Sequence, residues 1–299
     1  MIPQTISSTE TLRQFADAVY RDTGAAIYPQ ADGDLHRFDD PEGRRGNGSG
    51  WYVLHLDGYP AGAYGSWRTG SQYTWRLDSK PDPAEQYRIQ AFVRAARQRR
   101  EAERAEAQAQ AATRAQAIWR DAPPAIVAHP YLASKRIPAL GLRQAGPVLL
   151  VPLRTIAGEL VNIQRIAPDG QKRFYKDARV SGCFALIGQE IPETGSLYIA
   201  EGWATAVTIH QALRVPVVAA MFADNLKPVA LAVRSKYPRL ALVVAADNDH
   251  RTPGNPGMTK GRAAKEAIQG HLTYPTVCLA HDCRCTDFND TAQCPRAAR

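Results

Sequence analysis

Long apolar runs are missing from this 299-residue chain. No stretch of about 18 consecutive apolar residues occurs, which excludes a transmembrane helix and a membrane role. The opening residues Met-Ile-Pro-Gln-Thr carry neither a basic nor an apolar region, so no export signal is expected and the chain is placed in the cytoplasm. Cysteine is scarce as well. The five cysteines (Cys183, Cys278, Cys283, Cys285, Cys294) are an odd number without an export signal, which argues against a disulfide framework. Acidic residues are outnumbered, 29 Asp+Glu against 37 Lys+Arg, for a formal net charge of +8. That surplus favours a polyanionic partner such as nucleic acid, although an ordinary solvated surface has the same composition. With 44% hydrophobic and 22% charged residues, the chain is neither disordered nor collagen-like and is long enough for one large or two small cores.

Three textures follow one another. Residues 1–80 open on a helix pattern: Ser7 and Glu10 stand at capping-box spacing, Leu12, Phe15, Ala16, Val19 and Tyr20 recur on one face, and Gly24 supplies a stop. Short β patterns follow at Leu35–Phe38, Trp51–Leu56 and Tyr73–Leu77, and together they predict a small α+β module. Trp51, Trp67 and Trp75 lie there near Arg68, an arrangement able to stack single-stranded bases and hold phosphates. So small a module also needs tryptophan for its own core, a role that suits most of these aromatics better. From Pro83 to Arg120 helix formers dominate, with no Gly or Pro inside. The sparse, mostly Ala apolar positions suit an exposed helical connector over 83–122.

Val148–Leu153, Glu159–Ile166 and Lys172–Lys176 read as strands, making 125–192 a basic, β-rich stretch. Beyond Gly195, apolar strands (Leu197–Ala200, Val215–Met221, Leu240–Ala246, Thr276–Ala280) alternate with helices (Trp203–Leu213, Leu226–Lys236, Thr259–Gly270). This pattern predicts an α/β fold over 193–299, with right-handed crossovers and a parallel sheet covered on both faces.

Reactive groups on such a sheet gather beyond the carboxyl ends of its strands. There the sequence has Glu201-Gly202 after one strand, Asp247-Asn248-Asp249 after another, and Asp282, Asp287 and Asp290 after the last. Singly, such acids often cap the following helix. Together they form a set of hard oxygen ligands suited to Mg²⁺ or Mn²⁺ rather than zinc.

Leu-Tyr-Ile-Ala-Glu-Gly (197–202), followed by Val-Val-Ala-Ala-Asp-Asn-Asp (243–249) and the small residues Gly261, Ala263 and Ala264, resembles the signature of toprim domains. These are the metal-binding modules of bacterial-type primases, type IA and II topoisomerases and OLD-type nucleases. The stretches 129–135, 148–188 and 286–290, with Asp34–Arg37, Gly50–Leu54 and Gly65–Gly70, are similar to conjugative-plasmid primases of the TraC type and phage primase–helicases. The resemblance implies that Glu201, Asp247 and Asp249 are catalytic and hold metal, with Asp287 or Asp290 as a further ligand. It also implies that Arg154, Arg165, Lys172, Arg173 and Lys176 face template and nucleotide, with Lys260 near phosphates. The long loop 250–257 leaves the placement of Lys260 open, and the chain has neither an N-terminal zinc ribbon nor a Gly-x-x-x-x-Gly-Lys-[Ser/Thr] loop, so helicase activity is not encoded.

The expected activity is therefore metal-dependent primer synthesis on single-stranded DNA from nucleoside triphosphates, in plasmid, phage or mobile-element replication, with a replicative helicase or initiator as partner. A toprim-type nuclease and a non-catalytic single-stranded DNA-binding replication protein are the alternatives. Cys278, His281, Cys283, Cys285 and Cys294 are dense enough to bind Zn²⁺, but their spacing departs from the usual paired-cysteine knuckle, so zinc is the less favoured cofactor.

Overall fold

The computed structural model describes residues 8–56, 59–77, 83–276 and 283–296. Ser7, Cys278, His281, Asp282 and nearly all of the segment 276–280 lie outside them. The chain divides into two compact units, Met1–Ala102 and Glu103–Arg299. Among the described residues no helix is long and apolar enough to cross a membrane.

In the first unit, helix α1 (Ser8–Thr23) ends where Gly24 turns left-handed (φ 71°), and its amide reaches the Tyr20 carbonyl at 2.7 Å. An antiparallel meander follows in the order β1 (His36–Phe38), β2 (Gly50–His55), β3 (Ala61–Ser66), β4 (Ser71–Arg76). The core forms where Phe15 of α1 meets Tyr52, Tyr64 and Trp75 edge-on, with centroids 5.7, 5.7 and 5.3 Å away. Strand β3 was not foreseen. Its Ala-Gly-Ala-Tyr-Gly-Ser sequence has little β-propensity, yet a Cβ on Gly65 would stand 2.1 Å from the Ser71 carbonyl oxygen of β4, so the pairing requires glycine there.

Helix α2 (Pro83–Asp121) matches its expected length. Its C-terminal turns are not an exposed connector: Ala111 and Ala115 are buried, and Ala115 packs with Ala122, Leu150 and Ile163. A short helix α3 (Pro130–Lys135) is followed by a second meander, β5 (Arg143–Ala145), β6 (Val148–Arg154), β7 (Leu160–Ile166) and β8 (Lys172–Phe174), paired in that order.

The remaining elements are β9 (Ala185–Ile187), β10 (Ser196–Ala200), α4 (Trp203–Leu213), β11 (Val217–Ala219), α5 (Leu226–Lys236), β12 (Ala241–Ala245), α6 (Pro256–Ile268), β13 (His271–Thr273) and α7 (Phe288–Gln293). The sheet order is β13-β12-β10-β11-β9. Its first four strands are parallel, as expected, and β9 adds an antiparallel edge against β11. Among the described residues the last parallel strand is His271–Thr273, which was not foreseen, while the expected strand Thr276–Ala280 lies almost wholly outside them. Helices α5 and α6 bury Leu226, Val229, Val233, Ala264 and Ile268 with Leu197, Ile199, Leu242 and Val244. Helix α4 buries Trp203, Ala206 and Val207 with Leu149, Val151 and Ile166 of the second meander. Helices therefore cover both faces, and the carboxyl edge of the parallel strands is left for loops.

Candidate active site

Strands β10 and β12 are hydrogen-bonded neighbours, with Ala200 opposite Ala245. Glu201 follows the first by one residue and Asp247 the second by two, so both acids emerge at the same edge, about 5 Å of strand spacing apart. The amide of Asn248 donates to the Thr286 carbonyl at 2.7 Å, which brings Asp287 alongside. Asp287 is the N-cap of α7 and accepts the Asp290 amide at 2.7 Å. Asp249 accepts the Gly257 amide at 3.0 Å through Oδ2, at the start of α6. Helix capping thus accounts for one oxygen of Asp249 and one of Asp287, and leaves the others for chemistry. Gly257 is required there, since a Cβ would lie 2.5 Å from the Asp247 carbonyl oxygen and 2.9 Å from Asp249 Oδ2.

Electrostatics show how closely these acids crowd. Burial pushes the Glu201 carboxyl above its usual range, and the charges of Asp249 and Asp287 push it further, with Lys172 opposing. Burial likewise raises Asp247, followed by the fields of Glu201, Asp287 and Asp249, with Lys172 again opposing. Asp287 is raised mainly by burial. One oxygen each of Glu201 (Oε2) and Asp247 (Oδ1) is buried with no hydrogen-bond partner. Buried oxygens left unsatisfied among like charges fit divalent cations, and an all-oxygen set fits Mg²⁺ or Mn²⁺ chemistry.

Two residues overlooked in the sequence join this cluster. Lys135, at the end of α3, donates to Asp290 Oδ1 at 3.0 Å. Burial works against its ammonium, but Asp290, Asp287 and Asp247 outweigh that cost and raise its pKa. The Tyr131 side chain is buried, and its hydroxyl has no partner. Burial pushes that hydroxyl up to about 12, helped by Asp287 and Asp290. Their only sequence signal was the phrase His129–Lys135, while the histidine that opens it is structural: His129 caps α3 and bonds Pro147.

The expected basic residues separate. On β8, Lys172 stands over the Tyr131 ring at 5.8 Å and feels Asp287, Asp247 and Glu201. Desolvation, then the neighbouring Lys135, lower its pKa against the pull of those carboxylates. Arg173 instead lines a groove of about 280 Å³ with Arg165, Val148, Ala167 and Gln171, and the Arg165 guanidinium covers the Tyr175 ring at 4.9 Å. Arg154 donates to the Gly158 carbonyl at 2.9 Å, and Lys176 is exposed. Lys260 pairs with Asp224 at 2.6 Å.

In the first unit, Trp51 and Trp67 lie 5.8 Å apart, with Arg37 over Trp67 at 4.6 Å, and Trp67 is 49% exposed. Arg68 is held by Asp40 and Glu42 at 3.0 and 2.8 Å. Trp75 packs on Phe15.

Residues 196–295 match the Toprim domain. The chain is 36% identical over 280 residues, 88% of its length, to DNA primase TraC of Escherichia coli. It is 33% identical over 258 residues, 83% of its length, to a second Escherichia coli protein of that name. The chain spans only 26% and 18% of those relatives' lengths. The primase fragment of the bacteriophage T7 primase-helicase protein is a structural neighbour at 15% identity and a TM-score of 0.40, covering 55% of this chain and 68% of that one. The resemblance to toprim-domain primases of the plasmid type, read from the sequence, is borne out by the domain match and the two TraC identities.

Proposed function

We propose that this chain carries the catalytic part of a DNA primase, joining nucleoside triphosphates into short primers on a single-stranded DNA template. The observation that carries this reading is the gathering of Glu201, Asp247, Asp249 and Asp287 at one sheet edge, with buried oxygens left without partners. Glu201, Asp247, Asp249 and Asp287 would hold divalent cations, Mg²⁺ being favoured. Bound there, such ions supply Lewis acidity that lowers the pKa of an attacking 3′-hydroxyl and neutralises departing pyrophosphate.

The chain's own residues do the rest. Lys172 and Lys135 flank the carboxylates and bind anionic phosphate oxygens by charge-assisted hydrogen bonds. Asp290 orients Lys135. Arg165 and Arg173, on the groove beside β7 and β8, hold the template backbone. The division of labour proposed is template handling by 1–80, connection by 83–122, template and nucleotide contacts by 125–192, and catalysis by 193–299. A replicative helicase or initiator would deliver the template.

The test is primer synthesis on random single-stranded DNA with labelled nucleotides and Mg²⁺. Asp249→Asn and Glu201→Gln are each expected to lower product by about 100-fold or more. Full activity in either variant overturns the site. Metal-dependent nicking of a plasmid without nucleotides would favour the toprim nuclease instead.

In the first unit, Trp51 and Trp67 are proposed to stack bases, whereas Trp75 belongs to the core. Trp67→Ala is expected to weaken single-strand binding by about 1–3 kcal/mol. An unchanged affinity by fluorescence anisotropy removes the stacking role.

A further inference from the structure

Three cysteines outside the acidic crevice come together around α7. Cys283 and Cys285 precede the helix, and Cys294 is its C-cap. Their sulfur atoms all lie within 4.8 Å of one another, with Cys283 Sγ 3.3 Å from that of Cys285 and 3.9 Å from that of Cys294. Tetrahedral zinc with Zn–S bonds near 2.3 Å requires sulfur–sulfur edges of about 3.8 Å. The trio therefore needs adjustments of only some tenths of an ångström to about one ångström to share an ion. A single disulfide would satisfy two of the three sulfurs and strand the third. Soft thiolate donors select zinc over the hard ions suited to the carboxylates.

We propose that Cys283, Cys285 and Cys294 bind one zinc ion that clips the two ends of α7 together. Cys285 and Cys294 line a surface cleft with Ser134, Arg284 and Pro295, so water or a further donor can complete the tetrahedron. The need for such a clip follows from the helix's size: at six residues, α7 is too short to persist by its own hydrogen bonds. One flank is already tied, since Asn289 and Gln293 donate to the Lys135 carbonyl at 2.9 and 2.8 Å and Asn289 reaches Thr208 of α4 at 2.9 Å. The metal secures the other flank. Because Asp287 caps this helix, the clip also holds that carboxylate at the sheet edge, a consequence that rests on the catalytic reading above. Binding displaces the thiol protons to solvent and involves no redox change.

The full chain, purified in reductant without added metal and desalted, is expected to contain one zinc per chain by elemental mass spectrometry. The double variant Cys283→Ser/Cys294→Ser should lose it, while Cys183→Ser and Glu201→Gln retain it. Zinc below a tenth of an equivalent in the wild type, or retained in the double variant, overturns the proposal. Should the double variant fail to fold, cobalt substitution of the wild type decides. Intense near-ultraviolet sulfur-to-cobalt charge transfer with tetrahedral visible bands supports the site, and their absence overturns it. Hydrogen exchange over 286–293 is expected to speed at least tenfold when zinc is stripped by chelator, and unchanged exchange overturns the clip. None of these readouts uses primer synthesis, so loss of the zinc proposal and loss of the primase reading remain distinguishable.

Discussion

Asp247 is a residue at which this site costs the fold stability. Its buried oxygen lacks a partner, and burial and neighbouring acids raise its pKa, as they do that of Glu201. Both carboxyls bind protons more tightly in the folded chain than in the unfolded one. Their stabilising contribution is thus complete below the ordinary carboxylate range, near pH 4, and is lost as pH rises through the raised values. In chelator, the melting temperature of the wild type is expected to fall across that window, and Asp247→Asn should flatten the fall. At the alkaline end the variant should be more stable by on the order of 1–3 kcal/mol. Parallel curves for the two proteins would remove the raised carboxyl. Glu201, Asp247 and Asp249 were legible in the sequence because acids that end parallel strands share an edge whatever the loops do. Lys135 was not. It lies 155 residues from the aspartate it holds, and only the packing of α3 beside α7 brings the two together.

Among the elements, the entry to α6 carries a tight steric demand beside the candidate site. Gly257→Ala would press a methyl group against the Asp247 carbonyl and the Asp249 carboxylate. We expect a loss of about 1–3 kcal/mol in chemical denaturation, with a larger fall in primer synthesis than the destabilisation explains. Wild-type stability and activity in this variant would mean that the loop relaxes freely. Long elements were readable in advance: α4 and α5 span their expected residues because apolar periodicity and helix formers agree over eleven positions each. The short strands β9 and β13 were not, since their ladder hydrogen bonds come from the distant strands β11 and β12. Nothing local to Ala-Leu-Ile or His-Leu-Thr specifies those partners. The end of α2 was misjudged for a related reason: alanine looks neutral in sequence, yet it is the side chain small enough for a helix to lie close on Leu150 and Ile163.

At the scale of the whole molecule, each unit has its own apolar core, one centred on Phe15 and the other spread over the two sheets of Glu103–Arg299. Calorimetry of the intact chain is expected to show two unfolding transitions. Phe15→Ala, which removes a fully buried ring, should lower one of them by an amount equivalent to about 3–5 kcal/mol and leave the other in place. A single transition that moves as a whole would show the units to be one cooperative structure. The α/β class and the basic stretch before it were readable from sequence, whereas the seam between them was not. At that seam Phe184 and Arg154 exchange backbone hydrogen bonds at 2.8 and 3.0 Å, and the next residues, Ala185–Ile187, pair with β11. One short run of chain is therefore sewn into the basic meander at its first residue and into the acidic sheet at the rest. A hinge cannot open along that stitch without tearing both fabrics, so any motion at the acidic edge must be accommodated by the loops at the rim.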